Sequence, residues 1–455
     1  MNTVAAIATP VGISAIAVVR MTGDDCLEIA SRVFKRKNNQ SVLSIPANTV
    51  TFGCAYDQNS VLIDECLLTY FKAPASYTGE DIIEISCHGG IDVTARLLEA
   101  LILAGAVQAP PGEFTKRAYL NGKMDLSGSE AVIDIINADN KNAARLALLQ
   151  RGGSVYTAIN GIINNLELIL ARFFAYIDYP DDEIEDTTTE QIKKELEQII
   201  NKCDTLIASF ERGSIAKNGI DTVILGKPNS GKSSLMNYLT KQSTSIVTDI
   251  AGTTRDIIQS RVIFGGITLN LSDTAGIRST ADTVEKIGVE RAYEKADEAQ
   301  LILMVFDYSS PLTDEDKQLL EYTKGKTVIG IINKSDLMKK TDLNLIKSVI
   351  KNCFSVSVLK ETGLDKVEEY IKQLYNIGEL LDDGSEIISS IRHKNCLIQG
   401  SDRLSYALSA VKEGYTADAI VSEIEEAVSS LGEITGRTVT DETVQKIFEN
   451  FCVGK

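Results

Sequence analysis

Between Asp221 and Ser234 the chain reads DTVILGKPNSGKSS, a short apolar run feeding a glycine loop of the form G-x-x-x-x-G-K-S. No other stretch constrains the fold as tightly, because this spacing serves to cradle a polyphosphate. Val223-Ile224-Leu225 predicts a buried parallel strand. Gly226 and Gly231 let the backbone turn sharply, so that successive N–H groups of Asn229, Ser230, Gly231, Lys232, Ser233 and Ser234 point inward at phosphate oxygens. Lys232 has the reach for the β- and γ-phosphates, and the Ser233 hydroxyl suits Mg²⁺. Helix formers from Ser234 to Leu239 place the loop at a helix N-terminus, whose dipole favours an anion.

Downstream motifs follow in the order of a guanine-nucleotide switch. Asp273-Thr274-Ala275-Gly276 succeeds the strand-like run Thr268-Leu269-Asn270-Leu271. A strand-end aspartate there holds Mg²⁺ through water, and the glycine N–H suits the γ-phosphate. Thr253-Thr254-Arg255-Asp256 lies between the two motifs, where a Mg²⁺-sensing threonine, Thr254, belongs. Val328 to Ile332 predicts another buried strand, ending in Asn333-Lys334-Ser335-Asp336. A carboxylate at Asp336 accepts from the ring N–H and amino group of guanine, which adenine cannot match. Together the motifs predict a GTPase domain.

The flanks set the wider frame. At 455 residues the chain is too long for one core. Its 44% hydrophobic and 24% charged residues are ordinary for a globular protein, and no apolar run approaches the roughly 20 residues of a membrane span. Met1-Asn2-Thr3-Val4-Ala5 lacks a basic signal-peptide start, and Val4 to Ala8 predicts a first strand, so a cytoplasmic protein is expected. Eight scattered cysteines and two histidines predict free thiols rather than a zinc site. The net charge of −17 argues against a broad nucleic-acid-coating surface. Lys35-Arg36-Lys37 and Lys116-Arg117 with Lys123 are then either local RNA contacts or solvated charge clusters, and the acidic stretch Asp178 to Asp186 a solvated loop.

Residues 1–121 alternate short apolar runs with turns, as in an α+β domain. From about 125 the period changes. Ser127-Gly128-Ser129-Glu130 has the form of a capping box, and Val155, Ile159, Ile162, Ile163, Leu166, Ile169, Leu170 and Phe173 mark one face of a long helix. A helix from Glu190 to about Arg212 leads to the loop, and helical patterning resumes with Ala419, Ile420, Ile424, Ala427, Val428 and Leu431. The layout expected is a multidomain α/β + α protein: an α+β domain (1–121), a discontinuous helical domain (122–215 and 377–455) and an inserted, Ras-like P-loop GTPase domain (216–376).

Along its whole length the chain resembles the MnmE (TrmE) family of tRNA-modification GTPases. VAAIATPVG with Val18-Val19-Arg20, SYTGEDIIEISCHGG (Ser76 to Gly90), PGEFTKRAYLNGKMDLSGSEA (Pro111 to Ala131) and the closing Phe451-Cys452-Val453-Gly454-Lys455 carry the likeness. The resemblance implies a homodimer whose N-terminal domain binds a tetrahydrofolate, as 5,10-methylene- or 5-formyltetrahydrofolate. It implies a flavoprotein partner, MnmG (GidA), in a heterotetramer. Together they would add an aminomethyl or carboxymethylaminomethyl group to the wobble uridine of certain tRNAs, and a folate one-carbon unit supplies the methylene. By motif position Arg20, Glu84, Lys123 and Lys455 are similar to the family's folate contacts; from residue types alone, Arg20 and Glu84 are equally well an ion pair at a strand end. Cys452 is either a thiolate nucleophile for uracil C6 or part of a positioning tail.

The GTPase departs from the Ras pattern. Ile277 stands where Ras-like switches carry a water-orienting glutamine, so catalytic help must come from elsewhere. The resemblance implies K⁺, held by Asn229 and by carbonyls of the segment Thr248, Asp249, Ile250, Ala251, Gly252 and Thr253, with Thr248, Ile250 and Thr253 as the ligands. It also implies that Glu285 orients the attacking water; spacing alone equally fits a solvated helix-face glutamate. Arg255 and Arg278 suit switch contacts or plain surface charge. Ser357-Val358-Leu359 replaces the usual S-A-K, which keeps a backbone contact to guanine but loses a lysine stem against the base. The alternative to a modification enzyme is an RNA-binding GTPase switch in ribosome assembly.

Overall fold

A computed structural model describes residues 2–178, 186–242, 259–272, 294–375 and 386–455. The chain divides into two compact units, one of Met1–Ile136, Gln150–Lys202 and Cys396–Lys455, the other of Asn137–Leu149 and Cys203–Asn395.

In the first unit a seven-stranded sheet has the order β3-β4-β5-β6-β2-β1-β7. Its strands are β1 (Val4–Ile7), β2 (Ser14–Thr22), β3 (Phe34–Arg36), β4 (Thr49–Tyr56), β5 (Leu62–Phe71), β6 (Ile82–Gly89) and β7 (Val107–Gln108). All neighbours are antiparallel except β1 and β7. Alternation along the strands turns Ala17, Val19, Met21, Leu68, Ile83 and Ile85 to one face, where they pack with residues of α1 (Cys26–Val33) and α2 (Ile91–Leu103). Helices α3 (Glu113–Leu120) and α4 (Leu126–Asn137) follow.

The predicted capping box lies inside α4 rather than at its start. Asp125 is the acceptor there, taking the Gly128 N–H at 2.9 Å and the Ser127 hydroxyl. A carboxylate two residues upstream forms charge-assisted bonds and outcompetes the serine.

The long amphipathic helix is α6 (Ser154–Asp178), and all eight residues of its predicted stripe are buried. Helix α7 (Asp186–Asn218) extends beyond the predicted Glu190 to Arg212 at both ends. Helices α12 (Ile391–Glu413), α13 (Ala417–Thr435) and α14 (Asp441–Glu449) complete the helical part. On α13 the buried face runs through Ile420, Val421, Ile424, Ala427 and Leu431, whereas Ala419 is exposed.

The second unit holds a six-stranded sheet of order β13-β12-β11-β8-β10-β9, parallel except for β9. Its strands are β8 (Ile220–Leu225), β9 (Gln259–Phe264), β10 (Ile267–Ser272), β11 (Leu301–Asp307), β12 (Val328–Asn333) and β13 (Cys353–Ser355). Helices α5 (Lys141–Arg151), α8 (Lys232–Gln242), α9 (Asp314–Tyr322), α10 (Leu343–Val349) and α11 (Leu364–Tyr375) accompany it. Both faces of the sheet are covered: Ile224, Leu303 and Val305 join one core, Val223, Leu225 and Met304 the other. Burying each such side chain contributes about 1.5–3 kcal/mol, which is why the apolar runs Val223 to Leu225 of β8 and Leu301 to Phe306 of β11 are unbroken. In open α/β sheets ligands bind beyond the carboxyl ends of the strands, and here the phosphate loop leaves β8 and the N-K-S-D motif leaves β12 at that end.

All eight cysteines are free thiols. Among the described residues no helix is long and apolar enough to cross a membrane, and no cluster of three or more His, Cys, Asp or Glu could hold a metal ion.

Candidate nucleotide and folate sites

The phosphate loop folds as its sequence requires. Gly226 has φ +148 and Gly231 φ +105, and a Cβ at either would collide, at 2.3 Å from the Val305 carbonyl oxygen and 2.0 Å from Asn333 Nδ2 respectively. Asn229 adopts φ +60, a left-handed conformation that asparagine tolerates better than most residues. Asn229, Ser233 and Ser234 are exposed, while Ser230 is fully buried and its hydroxyl has no hydrogen-bond partner among the described residues. A buried, unpartnered hydroxyl in a tight glycine turn fits an anion cradle.

Lys232 donates from Nζ to the carbonyls of Gly226 (2.5 Å) and Lys227 (2.9 Å), and burial lowers its pKa. The loop is anchored on its far side by Lys227, whose Nζ lies 2.9 Å from Asp316 Oδ2. Asp316 is itself fully buried, closing a capping box with Thr313 at the start of α9. Nothing local in the sequence signals this pair, which spans 89 residues.

On the base side Asn333 is a bridge. Its Nδ2 donates to the Ser230 carbonyl at 3.1 Å, and its Oδ1 accepts the Val358 N–H at 3.1 Å. Ser357 Oγ donates to Asp336 Oδ1 at 2.6 Å; that bond holds the Asp336 carboxyl below its usual range, so it stays an acceptor. Asn333, Asp336, Ser357 and Val358 border a cavity of about 920 Å³, in the size class of small-molecule sites. Tyr238, Asn237 and Lys241 of α8 line it too. The sequence reading missed them, although they follow Ser234 at helical spacing on one face. Leu359, in the place of the usual lysine, lines the cavity and is 87% exposed. A cavity flanked by a guanine-type acceptor and a phosphate cradle fits a guanine nucleotide.

Thr248, Asp249, Ile250, Ala251, Gly252, Thr253, Thr254, Arg255, Asp273, Thr274, Ala275, Gly276, Ile277, Arg278 and Glu285 lie outside the described residues, as does most of the acidic stretch after Asp178.

In the first unit, β2 and β6 pair Arg20 with Glu84. The guanidinium meets Glu84 Oε1 through Nε at 2.8 Å and Nη2 at 2.7 Å, and Nη1 donates to the Gly454 carbonyl at 3.3 Å. The closing C-V-G-K segment therefore docks beside the pair. Its Lys455 carbonyl accepts the Phe114 N–H at 3.2 Å, and the Cys452 carbonyl accepts that of Gly112 at 3.4 Å. Cys452 and Val453 are exposed. Arg20, Glu84 and the tail are thus brought together. Lys123 instead donates from Nζ to the Pro74 carbonyl at 3.0 Å. Glu84 retains a second carboxylate oxygen and is 26% exposed, which fits a donor edge such as a pterin.

Residues of both basic clusters have partners within the chain. Arg117 is 3% exposed and spans Glu80 (2.9 Å) and Glu113 (2.8 Å), with Nη2 on the Asn2 carbonyl at 2.9 Å. A guanidinium buried among two carboxylates is a structural tie. Lys37 pairs with Glu65 at 2.8 Å and lies over Phe52, while Lys35 lies over Tyr56.

Two family models match the chain, the MnmE helical domain over residues 126–452 and the N-terminus of the GTP-binding protein TrmE over residues 3–123. The tRNA modification GTPase MnmE of Thermoanaerobacter pseudethanolicus is 43% identical, covering 100% of this chain and 99% of that protein. The protein of the same description from Enterococcus faecalis is 42% identical, covering 100% of this chain and 98% of its own length. Among solved structures, the G domain of the T. maritima FeoB iron transporter is 26% identical over 34% of this chain and 98% of that one, at a TM-score of 0.27; the fold assignment rests on sheet order instead. On the family models and on identity across its full length, the chain belongs to the MnmE (TrmE) family of tRNA modification GTPases.

Proposed function

We propose that this chain is a K⁺-stimulated GTPase that works with the flavoprotein MnmG (GidA) in the cytoplasm. As a homodimer within a heterotetramer, it adds an aminomethyl or carboxymethylaminomethyl group to C5 of the wobble uridine of certain tRNAs. A tetrahydrofolate one-carbon unit supplies the carbon. One observation carries the nucleotide half of this reading: a phosphate loop with exposed Asn229 at φ +60 is tied through Asn333 to the Val358 N–H, next to Ser357, which holds the guanine-selecting Asp336.

Each residue has a defined task. The loop N–H groups from Asn229 to Ser234 and the Lys232 ammonium bind the phosphates, and Asp336, held by Ser357, reads the base. Ser233 and Thr254 would hold Mg²⁺, assisted by Asp273. Asn229 with the carbonyls of Thr248, Ile250 and Thr253 would hold K⁺. Bound there, K⁺ supplies positive charge against the β–γ bridging region, the part an arginine plays in other GTPases. Glu285 orients the attacking water. In the other unit Glu84 accepts from the pterin edge, Arg20 and Lys455 counter the folate's anionic groups, and Lys123 provides a further cation. Docking of the tail beside Arg20 and Glu84 supports a modification enzyme over a ribosome-assembly switch, which has no use for such a site.

GTP hydrolysis measured in KCl and in NaCl at equal ionic strength tests the first half, and equal rates would remove the potassium role. Deleting the gene and analysing wobble uridines by mass spectrometry tests the second. Unchanged modification would discard it.

A further inference from the structure

At the carboxyl end of the parallel sheet a chain of contacts joins three residues, and neither the phosphate motif nor the guanine motif accounts for it. Asp307 ends β11 and stands opposite Asn333 in the β11–β12 pairing. Its Oδ2 lies 2.6 Å from Lys334 Nζ, and the same ammonium donates to the backbone carbonyl of Asn229 at 2.9 Å. The other carboxylate oxygen of Asp307 accepts the Ser309 N–H at 2.8 Å and the Ser309 hydroxyl at 2.6 Å. The Asp307 side chain is only 11% exposed. Asn229 and Lys334 both occupy left-handed backbone, at φ +60 and φ +64, where a non-glycine residue stays only if its surroundings hold it.

We propose that Asp307 is a positioning residue for the potassium site: by fixing the Lys334 ammonium it pins the Asn229 peptide and so aims the Asn229 side chain. This rests on Asn229 being a K⁺ ligand. A lysine ammonium is a point charge on a flexible stem with three rotatable donors. Left alone it would sample solvent and release the Asn229 carbonyl. A carboxylate locked by two Ser309 donors removes that freedom, and both bonds made by Lys334 are charge-assisted. Burial opposes the ionised form of Asp307, yet the bonds from Lys334 and Ser309 hold its carboxyl below the usual range, so Asp307 acts as an acceptor. Lys334 belongs to the base motif and Asn229 to the phosphate loop, so the tie joins base recognition to ion placement.

The test uses the full chain at saturating GTP and Mg²⁺, with KCl exchanged against NaCl at constant ionic strength. Wild type, Asp307→Asn and Asp307→Glu are compared, and GDP affinity in NaCl reports folding. Asp307→Asn is expected to raise the KCl needed for half-maximal hydrolysis at least about fivefold, with GDP affinity changed less than about twofold. Asp307→Glu keeps the charge at the wrong reach and is expected to shift the midpoint about twofold. Superimposed KCl curves for wild type and Asp307→Asn would overturn the proposal, as would a change confined to GDP affinity. If Asp307→Asn does not bind GDP, the glutamate variant decides, and an unshifted midpoint overturns it. A wild type equally fast in KCl and NaCl removes the potassium reading itself, and this inference with it.

Discussion

The phosphate loop and the SYTGED stretch are both short, polar and motif-like, yet the fold uses them in opposite ways. In the loop, polar groups are left over: Ser230 keeps a hydroxyl without a partner among the described residues, and Asn229 and Ser233 are exposed; beyond the loop, Asp336 borders a cavity. In SYTGED the polar groups consume one another. Thr78 bonds Thr22 at 2.8 Å, Glu80 takes Arg117 and Thr22, and Asp81 accepts from Tyr70 Oη at 2.9 Å and from the Ala73 N–H at 2.8 Å. A ligand site is a place where polar groups converge without satisfying one another. A structural motif is one where they do.

That contrast breaks first at Arg117. Replacing it with methionine leaves Glu80 and Glu113 without their shared cation, and breaking a buried ion pair costs about 3–5 kcal/mol. Urea unfolding of the first unit should report the loss, while GTP hydrolysis per folded molecule stays at the wild-type rate. A fall in hydrolysis with unchanged stability would mean that the SYTGED network is functional after all.

Asp336→Asn is the converse experiment. The side chain is exposed and Ser357 is its hydrogen-bond partner, so the melting temperature should not move. GTP affinity should fall at least about 10²-fold, because an amide presents a donor to the guanine amino group. The same donor suits the carbonyl of xanthine, so xanthosine triphosphate should gain what GTP loses. Equal losses for both nucleotides would show that Asp336 shapes the pocket rather than reading the base.

How much of this was legible in the sequence depended on range. The phosphate loop, the strands flanking it and the stripe of α6 are set by residues within a few turns of one another, and their spacing has one reading. Lys227–Asp316, Arg117–Glu80 and Asn140–Thr268 were not legible, since each partner is chosen by the way the sheets and helices assemble. Asn140 on the approach to α5 donates to Thr268 of β10 at 2.9 Å across 128 residues, a contact with no local pattern. Asp307 is an intermediate case. It ends an apolar strand, just as Asp273 and Asn333 follow or end theirs, and the same strand-end logic would have singled it out. The misplaced capping box shows the opposite failing, a local pattern overruled by a stronger acceptor two residues away.

Arg20 and Glu84 sit between the two kinds of region, being paired with each other and yet partly open. Glu84→Gln tests which side they fall on. As a ligand residue it should lower tetrahydrofolate affinity about tenfold or more, since a charge-assisted acceptor becomes a neutral one. Stability should fall by no more than about 1 kcal/mol for a partly exposed pair. Unchanged folate affinity with a matching stability loss would assign the pair to the frame alone.

The smallest expected effect lies at the far end of β6, where His88 and Asp64 satisfy each other at the surface. Asp64 accepts the His88 N–H at 2.7 Å and Nδ1 at 2.8 Å, and His88 is 76% exposed. Partial burial works to raise the Asp64 pKa, but the bonds from His88 and the Glu65 N–H outweigh it and hold the carboxyl below its usual value. Its folded pKa therefore lies beneath the unfolded one, about 3.9. The stability it contributes is present above that unfolded value and disappears as pH falls through the folded one. Asp64→Asn should flatten the acid limb of the stability curve and shift the acid midpoint by only about 0.3 pH unit, because solvent screens the pair. If the midpoint moved by a whole unit, surface pairs in this unit would hold it together as firmly as the buried Arg117 tie does, and burial would no longer separate the two.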